Sequence, residues 1–111
     1  MAGKFVISKR SNGEFQFNLK AGNGQTILSS EGYSDKSGCK NGIESVKKNS
    51  QDDKRFARET ASNGKFYFNL TATNGQTIGS SQMYADDAGR DNGIDSVKAN
   101  APEAEVVDET A

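Results

Sequence analysis

The chain of 111 residues contains no histidine and no tryptophan, and it has one cysteine and one proline. Without histidine, Ser-His-Asp and Cys-His catalytic arrangements and the usual zinc ligand sets are excluded. Cys39 has no second cysteine for an internal disulfide, which favours a reducing compartment. No apolar run approaches the ~20 residues of a membrane-spanning helix, and the N-terminus shows no signal-peptide pattern. The expected location is therefore the cytoplasm.

The charges are unevenly distributed along the chain. Residues 1–50 carry eight Lys/Arg and four Asp/Glu, a net charge of +4; residues 51–100 carry six and seven, a net charge of −1. Residues 101–111 carry four acids and no base. Because this tail is acidic and lacks a clear period, residues 102–111 are predicted to be disordered. Folding back of the tail on the basic first half is the less favoured alternative.

The chain contains an internal repeat with an offset of 51 residues. Residues 5–49 align with residues 56–100 without a gap, and 26 of the 45 positions are identical. Such a high fraction of identical positions indicates two copies of one supersecondary unit, over about 3–50 and about 54–101. Each copy alone is near the size at which a single core fails, so the two are expected to form one domain, 1–101, around a pseudo-two-fold axis.

Each copy is predicted to contain three strands and a helix. In the first copy, "EFQFNLKA" alternates apolar and polar side chains, as half-buried strands do. Asn12-Gly13 and Asn23-Gly24 are strong signals for hairpin turns. The stretch from Ser34 to Asn49 has apolar residues at helical spacing, with Ser34 or Asp35 as the cap and Asn49 as a left-handed end. The second copy shows the same pattern more weakly, with Arg58 where Ile7 stands.

Two Asn-Gly pairs, at 41–42 and 92–93, fall inside the predicted helices. Glycine there costs about 1 kcal/mol relative to alanine. Either the helix is continuous and glycine allows close approach to the sheet, or Asn41 caps a short second helix with Glu44 as its capping-box acid. The continuous helix is the favoured interpretation, because the penalty for one glycine is small.

These elements predict an α+β fold of tandem βββα repeats. An antiparallel sheet of about six strands would carry both helices on one face, and the other face would be polar enough for water. The order of the strands across the two repeats does not follow from the sequence. The predicted core residues of the first copy are Phe5, Ile7, Phe15, Phe17, Leu19, Ile27, Ile43 and Val46.

No group of residues matches a catalytic, cofactor or metal motif. Cys39 is interpreted as a half-buried helix residue, since Arg90 occupies its place in the second copy. Four of the six Asn-Gly pairs stand where hairpin turns are needed, and none belongs to a phosphate-binding glycine loop. The matched acids Asp35 and Asp86 are interpreted as helix-start residues. The protein is therefore predicted not to be an enzyme and to use no cofactor or metal.

The pattern "GEFQFNLKAGNGQTILSSEGY…NGIESVKKN", doubled as "GKFYFNLTATNGQTIGSSQMY…NGIDSVKAN", closely resembles the YegP-like family of small bacterial and archaeal proteins. The resemblance covers about residues 3–101. It implies a duplicated βββα fold, with single-copy relatives that pair as dimers to make the same body. It implies no activity, because the family is one of unknown function, and it supplies no catalytic residues.

The repeated polar residues form the candidate interaction surface. A turn and a sheet edge do not obviously require all of them, so a binding or interaction module for a protein or small ligand is the first hypothesis. The alternative is weak nucleic-acid binding through the basic first repeat and Tyr67 on the open sheet face, which the overall charge disfavours. The protein is expected to be a monomer without membrane contact. The candidate residues are Asn18, Gln25, Thr26, Ser29, Ser30, Asn69, Gln76, Thr77, Ser80 and Ser81.

Overall fold

The computed structural model describes residues 3–110. Met1 and Ala2 of the predicted domain and Ala111 of the predicted tail lie outside the described residues. Each repeat contributes three strands and one helix, and a further strand follows the second repeat. In chain order the elements are β1 Lys4–Lys9, β2 Phe15–Lys20, β3 Thr26–Ser29, α1 Lys36–Asn49, a 3₁₀ turn Asp53–Arg55, β4 Phe56–Thr60, β5 Phe66–Thr71, β6 Thr77–Ser80, α2 Asp87–Asn100 and β7 Glu105–Asp108.

Four Asn-Gly pairs form the hairpin turns, as predicted. In the first turn the Gly13 amide donates to the Arg10 carbonyl at 3.0 Å, and the Asn12 side-chain oxygen accepts from the Glu14 amide at 3.0 Å. Gly13 has a φ of 90°, and no non-glycine residue described has a positive φ. The glycine alone therefore takes the left-handed conformation, and the asparagine acts through its side chain.

The sheet is mixed and has seven strands among the described residues, in the order β4-β5-β6-β3-β2-β1-β7. The prediction of about six antiparallel strands was wrong in one detail, because β7 joins the edge of the sheet in parallel with β1. The two repeats meet at β3 and β6, which pair only through Ser29 and Ser80. The pseudo-two-fold axis passes through this junction.

The acidic tail is not disordered where the structure describes it. Residues 105–108 form β7, and Val106 and Val107 lie beside Phe5 and Val6 of β1. The Lys36 ammonium lies 2.8 Å from the Asp108 carboxylate, and this hydrogen bond, with those from Thr110, lowers the pKa of Asp108 far below its usual range. The tail thus folds back on the basic first repeat, because β1 offers an open strand edge and α1 offers a cation.

Both helices are continuous through their Asn-Gly pairs, and the alternative cap at Asn41 was wrong. A Cβ on Gly42 would collide with the Tyr33 hydroxyl and would lie 3.0 Å from a ring carbon of Phe17. Glycine therefore allows the helix to lie close to these rings, which stack at 6.3 Å between centroids. Asp35 caps α1 by accepting from the Gly38 amide at 2.7 Å, as predicted.

The end of α1 differs from the prediction. Asn49 is the last helical residue, and Ser50 after it keeps a right-handed conformation with a φ of −62°. Instead of adopting a left-handed conformation, Asn49 is buried and its side-chain amide donates to the Ser45 carbonyl at 2.8 Å. The chain then continues into the second repeat without needing a glycine.

One hydrophobic cluster includes residues from both repeats. Phe5, Ile7, Phe17 and Leu19 are fully buried, as predicted, and Phe15 packs against the cluster from its rim. α1 contacts β2 of its own repeat and also β5 and β6 of the other, while α2 contacts β5 and β3. Each helix therefore covers the junction between the repeats.

Leu28 fills the junction on the helix-covered side. Its side chain is buried, although only Ile27 of β3 was predicted to point inward. In the second repeat Gly79 takes the equivalent place, and a Cβ there would lie 2.8 Å from Leu28 Cγ. The junction thus has room for one large side chain. Leu28 of the first repeat fills it and Gly79 of the second leaves it free, so the core is not symmetric.

The two outer edges of the sheet are protected differently. On the β1 side, β7 adds a strand. On the β4 side, Arg58 lies 3.2 Å from Asp91 and 3.5 Å from Asp53. A charged residue on an edge strand discourages pairing with other chains, which explains why Arg58 stands where Ile7 stands in the first copy.

Candidate functional site

A polar row crosses the sheet face that the helices leave open. In the strand register Asn18 lies opposite Ser29, Ser29 opposite Ser80, and Ser80 opposite Asn69. Residues directly opposite in a ladder share a face, and these four alternate with the buried core residues of their strands. The structure therefore brings four of the ten candidate residues together in one row, centred on the pseudo-two-fold axis.

The two halves of this row are not equivalent. Ser80 is half-buried, and its hydroxyl donates to the Asn69 side-chain oxygen at 2.7 Å. Ser29 is exposed. The Ser29 hydroxyl is accordingly the more accessible group of the row for a contact from outside.

Thr26 and Thr77 belong to the same face, in rows beside the central one. Thr26 pairs with Lys20, and Thr77 pairs with Thr71. The strand register shifts just before each of these pairs, after Leu19 in β2 and after Leu70 in β5. At each shift β3 or β6 carries one extra residue, which forms a β-bulge. Six of the ten candidate residues thus lie on the open face.

The remaining four candidates lie elsewhere. Gln25 and Gln76 are exposed residues at the ends of the Asn-Gly turns, where the Ala21 amide donates to the Gln25 carbonyl at 2.8 Å. Ser30 is buried; its hydroxyl accepts from the Phe17 amide at 2.9 Å and donates to the Glu31 carbonyl at 2.8 Å. Ser81 makes the same contacts with Phe68 and Gln82. The two serines complete the backbone hydrogen bonding of the sheet.

A hollow of about 360 Å³ lies at the β7 end of the open face. Val6 and Val107, which lie opposite each other in the parallel ladder, form its apolar floor. Lys4, Lys20 and Glu109 stand at its rim. Sequence reasoning missed this feature because two of its residues belong to the tail. The signal was the pair of β-branched residues in "EVVDE", a short run that suits an edge strand.

The basic residues of the first repeat are divided between the two sides of the molecule. Lys4 and Lys20 lie on the open face, and so does Arg10, whose guanidinium donates to Gln16 at 2.8 Å. Lys9 lies on the other side of β1, 5.4 Å from the Phe15 ring centroid. The remaining four are on α1: Lys36, Lys40, Lys47 and Lys48. The net charge of +4 in the sequence therefore does not produce one basic surface.

Cys39 is fully buried on α1, more completely than predicted. Burial raises the pKa of its thiol, and the nearby Asp108 carboxylate raises it further. A thiol with a raised pKa is a poor nucleophile at neutral pH. The open face itself offers amides and hydroxyls, and Lys4, Lys20 and Glu109 add charges of both signs at its β7 end.

A comparison with models of protein families identifies the family of the chain. A model described as a domain of unknown function (DUF1508) matches twice, over residues 11–56 and 61–108. The chain belongs to the DUF1508 family. The two matches also place the family unit once in each repeat, and the second match extends into β7.

Relatives in bacteria are similar over nearly their full length. A UPF0339 protein in the ptx operon 5′ region of Stutzerimonas stutzeri is 58% identical, with 97% of each chain covered. The UPF0339 protein YegP of Escherichia coli is 56% identical over 99% of this chain and 100% of its own. The resemblance to the YegP-like family, inferred from the repeated motifs, is thereby confirmed.

Two solution NMR structures share the fold. Escherichia coli YegP, described as a protein of unknown function, has a TM-score of 0.93 at 56% identity, with 98% of this chain and 94% of that chain covered. A UPF0339 protein of Shewanella oneidensis has a TM-score of 0.91 at 55% identity, with 97% and 92% covered. The α+β architecture is therefore that of the family, and the names of these relatives assign no activity.

Proposed function

We propose that the protein is a non-enzymatic binding module whose open sheet face contacts another protein. The observation that carries this proposal is the row Asn18–Ser29–Ser80–Asn69, which runs without a break across the junction of the repeats. A row of neutral donors and acceptors at the centre of an uncovered face can hydrogen-bond a partner without the desolvation cost of charges.

The shape of the open face supports a protein rather than a small ligand. Seven strands at about 4.8 Å spacing give a face roughly 29 Å wide, which is the scale of a protein interface. The hollow above Val6 and Val107 would accept one apolar side chain of the partner, and Lys4, Lys20 and Glu109 would form a polar rim around it.

Nucleic-acid binding has less support. Three of the eight basic residues of the first repeat lie on the open face, Arg10 lies 4.0 Å from the Glu14 carboxylate, and Glu109 stands near Lys4 and Lys20. Phosphate binding relies on clustered cations, which the described residues of this face do not form. Within residues 3–110 no helix has the length and apolarity to cross a membrane. We further propose that the protein is a monomer, because the paired repeats already build the joint sheet. We place it in the cytoplasm, because the lone Cys39 needs no oxidising compartment.

Affinity capture from bacterial extract tests the proposal with a matched pair of variants. Ser29→Arg places a bulky cation in the centre of the row, and Ser62→Arg makes the same change in the exposed β4–β5 turn. We expect a protein that is captured by the wild type and by Ser62→Arg but is lost with Ser29→Arg. The binary interaction with the purified partner is then measured by calorimetry. If every captured protein is insensitive to Ser29→Arg, or if capture depends on nucleic acid, the proposal is wrong.

A further inference from the structure

β3 and β6 separate on both sides of their single residue pair. Beyond β6 the chain returns to its own repeat, where the Phe66 amide donates to the Tyr84 carbonyl at 2.9 Å and the Tyr84 amide donates to the Phe66 carbonyl at 2.7 Å. The segment therefore leaves β3 and opens a space between the β2–β3 turn of the first repeat and α2 of the second. This space is a cleft of about 330 Å³.

The cleft is lined by neutral polar groups from both repeats. The first repeat contributes the amides of Asn23 and Gln25, and the second contributes Gln82, Tyr84, Asn92 and Ser96. None of the described side chains that line the cleft is charged, and apolar atoms make up the larger part of its wall. The cleft therefore offers a ligand neutral hydrogen-bonding groups beside apolar surface.

We propose that this cleft binds a small uncharged polyhydroxyl compound, that is, a sugar or a polyol. Side-chain amides and hydroxyls both donate and accept hydrogen bonds, as do the hydroxyls of such a ligand. A charged ligand would lose hydration without meeting a counter-charge. The site is separate from the polar row of the open face, and its occupation does not depend on the protein interface proposed above.

One polar group of the cleft, the Tyr84 hydroxyl, is held in place before any ligand binds. The Tyr84 ring stacks on Phe68 with 6.5 Å between centroids and 10° between planes. Its hydroxyl reaches α2 because residue 93 is glycine; a Cβ there would collide with it. Asn92 is exposed on the continuous helix α2, which fixes its backbone. Pre-organised donors and acceptors reduce the ordering cost of binding.

The pseudo-symmetry supplies a matched control. At the equivalent position between the β5–β6 turn and α1, Glu31 stands where Gln82 stands, so a carboxylate replaces an amide. Gln76 is the counterpart of Gln25 and is equally exposed in its turn. The Glu31 carboxylate only accepts hydrogen bonds, whereas the Gln82 amide also donates them, so we expect the ligand to prefer the Gln25 side. Gln76 variants control for general effects of changing a turn glutamine.

Titration of ¹⁵N-labelled full-length protein tests the proposal. The neutral probes are glucose, maltose and mannitol, and the charged probes are gluconate and glucosamine. We expect saturable amide shifts at Gln25, Tyr84 and Asn92 with the neutral probes, at concentrations of the order of millimolar. Gln25→Ala should weaken that binding about tenfold, as loss of one to two hydrogen bonds would, while Gln76→Ala should leave it unchanged.

Three results would overturn the proposal. One is the absence of saturable shifts in the cleft with all three neutral probes. Another is equal binding of gluconate or glucosamine, since the neutral lining would then not select the ligand. A third is equal weakening by Gln25→Ala and Gln76→Ala. Ser29→Arg should not change the titration, so failure of the protein interface and failure of the cleft are distinguishable.

Discussion

The packing of Leu28 against Gly79 leads to a prediction that single substitutions cannot test. Leu28 is 1% exposed, so Leu28→Ala should cost about 2–5 kcal/mol through lost burial and a cavity. Gly79→Ala should cost about 1–3 kcal/mol from overpacking, because its Cβ would lie 2.8 Å from Leu28 Cγ. Once Leu28 is shortened, the same alanine has room and gains up to about 1 kcal/mol as a better strand residue than glycine.

The double variant should therefore be more stable than the sum of the single variants predicts, with a coupling of at least about 1 kcal/mol. Urea unfolding, followed by the circular dichroism of the helices, gives the free energy of unfolding of the wild type, the two single variants and the double variant. Ile7→Val combined with Gly79→Ala is the control. Ile7 lies on β1, three strands from β6, so those two effects should add. Additive effects for Leu28 and Gly79 would refute the packing argument.

Three further predictions concern the helix glycine, the tail and the buried serine. Gly42→Ala should lower the Tm in thermal unfolding despite the higher helix propensity of alanine, because its Cβ meets Tyr33 and Phe17; an unchanged or higher Tm would contradict the close approach. Because the pKa of Asp108 is lowered in the folded state, its contribution should be complete above about pH 4 and should be lost as the pH falls below that value. The stability difference between wild type and Asp108→Asn in urea should then shrink at acid pH, and a difference that grows would show the opposite linkage. Ser30→Ala should cost about 1–3 kcal/mol in urea unfolding because it leaves the Phe17 amide unsatisfied, whereas exposed Ser29→Ala should change stability by less than about 0.5 kcal/mol; equal costs would argue against the backbone role of Ser30.

Local patterns predicted what local interactions determine. Alternation placed Phe17 and Leu19 in the core and Asn18 on the open face, and Asn-Gly placed the turns. The continuous helix could be argued only weakly, because the reason for Gly42 is the position of Tyr33, nine residues earlier in the segment between β3 and α1. Where a residue is explained by its own neighbours in the chain, the sequence was sufficient.

Features that depend on distant partners could not be predicted. The tail has little apolar surface of its own. It forms β7 because it pairs with the edge of β1 and because Lys36 forms an ion pair with Asp108. The junction of the repeats rests on one residue pair, Ser29 and Ser80, for which no local pattern exists. Ser30 and Ser29 are adjacent serines, yet only the structure shows that the first serves the backbone and the second faces outward.

The crossing of the helices over the junction has a consequence for the covalent link between the repeats. α1 packs on strands of the second repeat and α2 on a strand of the first, so each repeat alone would leave part of its helix without a packing partner. The connecting residues 50–55 hold the two halves near each other, and Gln51 and Asp53 also bond to Lys98 of α2. Separate peptides cut within this connection should still assemble into the same sheet in solution, because each helix packs on strands of both repeats, whereas β3 and β6 meet at one residue pair.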